Sequence, residues 1–125
     1  MKLDFSSELP IYLQITAEME DAIFTGAFPE ETQVPSTTEI SASMQVNPAT
    51  VLKGMNLLVE NGLLYKKRGL GLFVKQGAVN SIQRKRQQQF YEKYVLSLVA
   101  EAKKLGLTKE EIMAWMERGF QNERP

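Results

Sequence analysis

Residues 36–74 read STTEISASMQVNPATVLKGMNLLVENGLLYKKRGLGLFV, and the order of caps, apolar periods and glycines in this stretch decides the fold. Ser36-Thr37-Thr38-Glu39 has the S-x-x-E form of a capping box, in which the hydroxyl takes a backbone N–H and the carboxylate reaches back. It opens a short helix with Ile40 and Met44 on one face. Asn47-Pro48 is a second start, with Asn as N-cap and Pro at a first helical position that needs no N–H donor. Val51, Met55, Leu58 and Val59 make the apolar face of this second helix, and Gly62 ends it. Two capped helices this close, with the apolar Val46 in the turn between them, predict a helix-turn-helix. After Gly62 the period changes. Residues 63–68 read as a strand, Gly69-Leu70-Gly71 as a turn and Leu72-Phe73-Val74 as the returning strand. A hairpin directly behind the second helix is a wing.

Working outward, Pro10 sits where a first helical turn accepts it, and Ile11, Ile15, Met19 and Ile23 follow at spacings of four. Gly26 supplies the stop, and residues 27–35 are turn-rich. Downstream, residues 80–89 hold one apolar residue in ten, which reads as a connector or as the exposed start of a long helix. From Phe90 the pattern is helical: Tyr91, Val95, Leu98 and Ala102 on one face, Tyr94 and Leu105 beside it, then Gly106. Thr108-Lys109-Glu110-Glu111 is another capping box, opening a helix with Ile112, Trp115, Met116 and Phe120. The expected fold is mainly α with a small β-hairpin. A winged helix-turn-helix over 1–77 is followed by a two-helix C-terminal tail over 78–125. Gly54 lies mid-helix, where glycine costs about 1 kcal/mol relative to Ala; close packing against a neighbouring helix would offset that.

Composition excludes much chemistry. The chain has 125 residues, no Cys and no His. Disulfides, thiolate metal sites, Cys nucleophiles and the usual general base near neutral pH are therefore absent. No cofactor, metal or enzymatic activity is expected. The clusters Glu18-Glu20-Asp21 and Glu30-Glu31 lack a partner for acid–base work and read as surface. MKLDFSSELP has no apolar run of the signal-peptide kind, and no stretch approaches the roughly 18 apolar residues of a membrane span. A soluble cytoplasmic protein is expected. The 15 basic and 15 acidic residues balance overall but are segregated. Residues 1–35 carry one positive and seven negative charges, while residues 36–76 carry five positive and two negative, including Lys66-Lys67-Arg68. That cluster allows a focused basic site.

Pro10-Ile11-Tyr12, Gln14-Ile15, Ile23, Gly26, Val34-Pro35-Ser36, Glu39-Ile40, Val46, Thr50-Val51, Leu58, Gly62-Leu63 and Arg68-Gly69-x-Gly71-x-Phe73-Val74 stand in that order. Together they resemble the winged-helix DNA-binding domain of GntR-type bacterial regulators, over about half the chain. The segment from Glu101 to Glu111 and Val46-Asn47-Pro48 resemble the short-tailed YtrA-like subfamily. The resemblance implies a sequence-specific transcriptional regulator, a repressor, bound as a homodimer to a near-palindromic operator in double-stranded DNA. A small-molecule effector stays open. A tail of this length has difficulty enclosing a pocket of ~300 Å³.

The expected DNA-binding residues are Ser36, Thr37, Thr38, Asn47, Pro48, Ala49, Thr50, Lys53, Lys66, Arg68 and Gly69. Small residues at the start of the second helix permit close approach to the major groove, and free N–H groups there can hold a phosphate. Lys53 lies one turn further along. Lys66 and Lys67 alternate faces, so at most one joins Arg68, which suits the electronegative minor groove. Thr38 and Pro48 stand where many members of the family carry Arg, which puts the usual guanine readout in question. Phe90, Tyr91, Tyr94, Val95, Leu98, Ile112, Trp115, Met116 and Phe120 are the expected dimerisation residues, because two helices alone cannot hide so many large apolar side chains. Two rival readings are a ligand-gated sensor and a protein-interaction module with no DNA role.

Overall fold

The structure, a computed structural model, describes residues 1–122. It falls into two compact units that divide between Arg84 and Lys85. Glu123, Arg124 and Pro125, the end of the expected tail, lie outside the described residues.

The first unit holds α1 (Ile11–Phe24), α2 (Thr37–Met44), α3 (Pro48–Glu60), β1 (Leu64–Lys67) and β2 (Gly71–Val74). The stripe on α1 buries Ile15, Met19 and Ile23 completely, against Val51, Met55 and Leu58 of α3. Ile40 closes the core from α2, and Leu64 and Val74 close it from the wing. Between α2 and α3 the chain turns through Gln45 in the left-handed region (φ 54°), and Val46 drops into the core. The Ser41 hydroxyl, donating to the Val46 carbonyl, holds that turn.

Gly54 is where α1 and α3 come closest. A Cβ there would lie 2.7 Å from the Tyr12 carbonyl oxygen and 3.2 Å from Cγ2 of Ile15. The Thr16 hydroxyl lies 2.8 Å from the Gly54 carbonyl oxygen and 3.0 Å from that of Tyr12, its one proton shared between the two helices. The glycine thus gives up helix propensity for a backbone contact that no other residue allows.

The wing differs from expectation in its turn. Gly71 belongs to β2, paired with Lys67, so the turn is Arg68-Gly69-Leu70. Residues 31–34 add to the outer side of β2. The Glu31 N–H donates to Val74, the Val74 N–H to Thr32 and the Val34 N–H to Leu72, at 2.8–3.0 Å. The turn-rich stretch before α2 is therefore partly a third strand of the wing.

Other expectations need correction. Pro10 is the N-cap, with extended backbone (ψ 144°), and its carbonyl accepts the first helical bonds from Leu13 and Gln14. Val59 is 37% exposed. It lies about 80° around the helix from Val51 and so misses the buried face. Of the two readings of residues 80–89, the exposed start of a long helix is the one that forms, within α4 (Ala78–Phe90). Ala78 and Ile82 pack into the core of the first unit, which carries its boundary past the expected 77/78 division to Arg84. The Glu30 carboxylate caps α4, accepting the Gly77 N–H at 2.9 Å and the Val79 N–H at 3.0 Å.

The second unit continues from α4 through a π-helical turn, Tyr91–Val95, into α5 (Leu96–Lys104) and then α6 (Lys109–Gln121). The capping box at Thr108 and Glu111 forms as expected. Among the described apolar residues of this unit only Ala102 is buried. Of the expected dimerisation residues, Val95 and Ile112 are half-buried and the other seven are exposed, Phe120 by 86%.

Gly54→Ala should destabilise the first unit by roughly 1–3 kcal/mol, the cost of overpacking, despite the gain in helix propensity. Gly119→Ala, where nothing lies within 4 Å, should be neutral or stabilising. Urea unfolding of both variants checks the pair. The two N–H donors hold the Glu30 carboxyl below the ordinary glutamate range. A carboxyl whose folded pKa is lowered stabilises the fold above its unfolded pKa, and that contribution is lost as pH falls through the folded one. Glu30→Gln should therefore lower stability at pH 7 and flatten the acid limb of a stability–pH profile. An acid limb as steep as in wild type would count against the cap.

Candidate nucleic-acid interface

The expected contact residues fall into three clusters. The first is the start of α2. The Ser36 hydroxyl accepts the Glu39 N–H at 3.0 Å, and Glu39 accepts the Ser36 N–H at 3.0 Å. These bonds to Ser36 hold the Glu39 carboxyl below its ordinary range, so it stays charged. Ser36 is thereby engaged as a cap. The N–H groups of Thr37 and Thr38, the first two of the helix, have no partner among the described residues.

The second cluster is the start of α3, where the cap takes up most of the N–H groups expected to be free. Asn47 Oδ1 accepts the Ala49 N–H at 2.8 Å, while the N–H groups of Thr50 and Val51 both donate to the Asn47 carbonyl. Pro48 has no N–H. The first-turn N–H groups of this helix are therefore taken within the helix start itself, while those of Thr37 and Thr38 at α2 are not. Asn47, Pro48 and Ala49 are exposed and Thr50 is half-buried. Ala49 and Lys53 line one shallow groove on α3 together with Leu52, Asn56, Leu57 and Glu60. The Lys53 ammonium sits 4.0 Å from the centre of the Tyr12 ring, a cation–π contact that draws it toward α1.

The wing is the third cluster. Lys66, Arg68 and Gly69 are exposed, and Gly69 has φ 78°. Lys67 turns the other way, with its ammonium 4.2 Å from the centre of the Phe73 ring. Tyr65 packs beside Phe73, and its hydroxyl donates to Glu31 at 2.8 Å, which raises the Tyr65 pKa. The Gln33 amide donates to the Leu70 carbonyl in the turn. A Cβ at Gly71 would come within 2.8 Å of that amide nitrogen. The hairpin that carries Arg68 is thus braced from its outer side.

The sequence reading missed Leu52, Asn56 and Gln33. The first two lie three and seven residues beyond Ala49, the spacing of one helical face, and so were legible. For Gln33 no local signal exists, because its partner is 37 residues away.

Two capped helices joined by a tight turn, with a braced hairpin behind the second, define a winged helix-turn-helix protein. The family model of bacterial regulatory proteins of the gntR family matches residues 11–74, just over half of the chain, and the chain belongs to the GntR family. Over 116 residues it is 25% identical to the HTH-type transcriptional repressor YtrA of Bacillus subtilis (strain 168), covering 93% of this chain and 88% of YtrA. That span takes in the tail and places the chain with YtrA-like members. The crystal structure of a protein described as a transcriptional regulator of the GntR family from Bacteroides thetaiotaomicron superposes with a TM-score of 0.75 at 32% identity, over 91% of this chain and 99% of that one. The DNA-binding domain of AraR, solved with operator ORX1, matches with a TM-score of 0.53 at 32% identity, over 59% of this chain and 92% of that one. Family and relatives are transcriptional regulators, not enzymes. No described helix is long and apolar enough to cross a membrane.

Arg68→Ala should weaken DNA binding by about 1–3 kcal/mol with the fold intact, the usual worth of a groove-reading arginine. Gly69→Val should weaken it comparably, because a β-branched residue resists positive φ and the wing turn would shift. Gel shift and circular dichroism on both variants check this. Wild-type affinity in Arg68→Ala would remove the wing from the interface.

Proposed function

We propose that the chain is a cytoplasmic transcriptional repressor that binds a near-palindromic operator as a homodimer, the tail forming the dimer seam. Membership of the GntR family supports the DNA-binding half of this reading. In this reading the Thr37 and Thr38 N–H groups hold a phosphate. Asn47, Pro48, Ala49, Thr50 and Lys53 enter the major groove, and Lys66, Arg68 and Gly69 meet the minor groove. Ser36 serves as the cap behind the phosphate contact.

The observation that carries the dimer is the exposure of Phe90, Tyr91, Tyr94, Leu98, Trp115, Met116 and Phe120 in one small unit. An apolar groove of about 390 Å³ runs between α5 and α6, lined by Leu98, Val99, Ala102, Leu107, Ile112 and Met113. Contiguous apolar surface of this kind marks an interaction site. A second copy, offering the same surface through a two-fold axis, covers it self-consistently. Burying each aromatic contributes about 1.5–3 kcal/mol from area alone.

Leu98→Asp combined with Trp115→Asp should convert the full-length protein to monomers in light scattering, with both units still folded. Its operator affinity should fall by two orders of magnitude or more as avidity is lost. A wild-type protein that is itself monomeric, or a double variant that still dimerises, would sink the seam. Truncation is a poor substitute, since a cut at Gly77 would remove Ala78 and Ile82 from the core of the first unit.

A further inference from the structure

The outward face of α3 has an unusual chemistry for reading DNA. From Ser36 to Asn61 the chain holds no arginine, and Lys53 is its one cation. That lysine is drawn onto the Tyr12 ring. Guanine is read in the major groove chiefly by Arg or Lys at O6 and N7, so this helix is poorly equipped for it. Asn47 is similarly limited. Its Oδ1 already accepts the Ala49 N–H, which turns the amide toward its own helix, and a bidentate grip on adenine needs both the oxygen and the nitrogen presented outward.

Ala49 and Leu52 are apolar side chains of the outward groove, adjacent on one face in the first two turns of α3, where base edges come within reach. Leu52 is 48% exposed and belongs neither to the core nor to the apolar residues packed against it. A leucine side chain cannot hydrogen-bond to a base. The feature of the major groove it complements is the C5 methyl of thymine, which is also the one apolar mark that separates T·A from C·G there. Asn56, in the same shallow groove and exposed, is a neighbouring amide whose two ends are not taken by a cap.

We propose that Leu52, seated beside Ala49, is a specificity-determining residue that reads the thymine methyl of a T·A pair in each operator half-site. This rests on the DNA-binding reading above.

The test uses the full-length protein and double-stranded oligonucleotides. A site is first selected from a random library. Each thymine is then replaced by deoxyuridine, which removes only the methyl, and dissociation constants are measured by fluorescence anisotropy. One thymine per half-site should prove sensitive. Its loss should weaken wild-type binding about fourfold, the worth of one buried methyl group, and roughly 15-fold when both half-sites are changed. Leu52→Ala should bind the thymine site more weakly than wild type and be indifferent to deoxyuridine there. Leu52→Arg, selected afresh, should prefer G·C at that position. Deoxyuridine without effect at every thymine, or a Leu52→Ala protein that keeps the full penalty, would overturn the thymine reading while leaving DNA binding in place. A library from which no sequence is enriched would overturn the DNA-binding reading itself, and this assignment with it.

Discussion

The contact between α1 and α3 at Gly54 sets the geometry of the first unit. With a Cβ excluded by the Tyr12 carbonyl, the two helices approach to backbone contact, and the shared Thr16 hydroxyl ties them there. That approach brings Ile15, Met19 and Ile23 against Val51, Met55 and Leu58 with no exposed remainder. It also decides which face of α3 is left outside. A wider spacing would let α3 roll, and Ala49, Leu52 and Lys53 would no longer share the outer surface. A glycine that costs helix propensity is therefore what fixes the outward face of α3. The same approach puts the Tyr12 ring within reach of the Lys53 ammonium.

The segment before α2 does a second job that its composition hides. Glu31, Thr32 and Val34 pair with β2, Gln33 holds the Leu70 carbonyl, and Glu30 caps α4. Neighbouring residues of one stretch thus brace the wing and anchor the helix that leads into the second unit. An isolated two-stranded hairpin is marginally stable in water. With this third partner, the Arg68-Gly69-Leu70 turn sits on a supported edge. The acidic pair Glu30-Glu31, which reads as plain surface from sequence, is engaged at both members, since Glu31 also accepts the Tyr65 hydroxyl.

What is legible in the sequence is what is local. The capping boxes at Ser36 and Thr108, the Asn47-Pro48 start and the four-residue stripe of α1 each depend on residues within one or two turns, and all form. What is not legible depends on partners far along the chain. Nothing near Gly54 names Tyr12, and nothing near Gln33 names Leu70. Ala78 and Ile82 are a two-residue anchor into the core, hidden in a stretch that is otherwise almost wholly polar. The unpartnered first-turn N–H groups sit on α2 and not on α3 for a related reason. Asn47 and Pro48 read correctly as helix starters, yet an Asn cap and a proline are what leave the first turn of that helix without a free N–H.

Charge explains why the proposed dimer matters to binding. The α2–α3 pair offers a single lysine, and residues 1–35 carry a net charge of −6. In the proposed complex the winged domain would rely for its attraction to phosphates on a few wing cations and on the dipole at the start of α2. The Glu39 carboxylate, kept charged by its cap, partly cancels that dipole. Affinity for DNA grows with the number of phosphates neutralised, and so few contacts leave one winged domain weak at physiological salt. Linking two domains makes the second binding event intramolecular and multiplies their affinities without any new contact. In the proposed dimer an apolar tail surface, a liability for solubility in a lone chain, would be the feature that lets the nearly uncharged helix α3 hold a site.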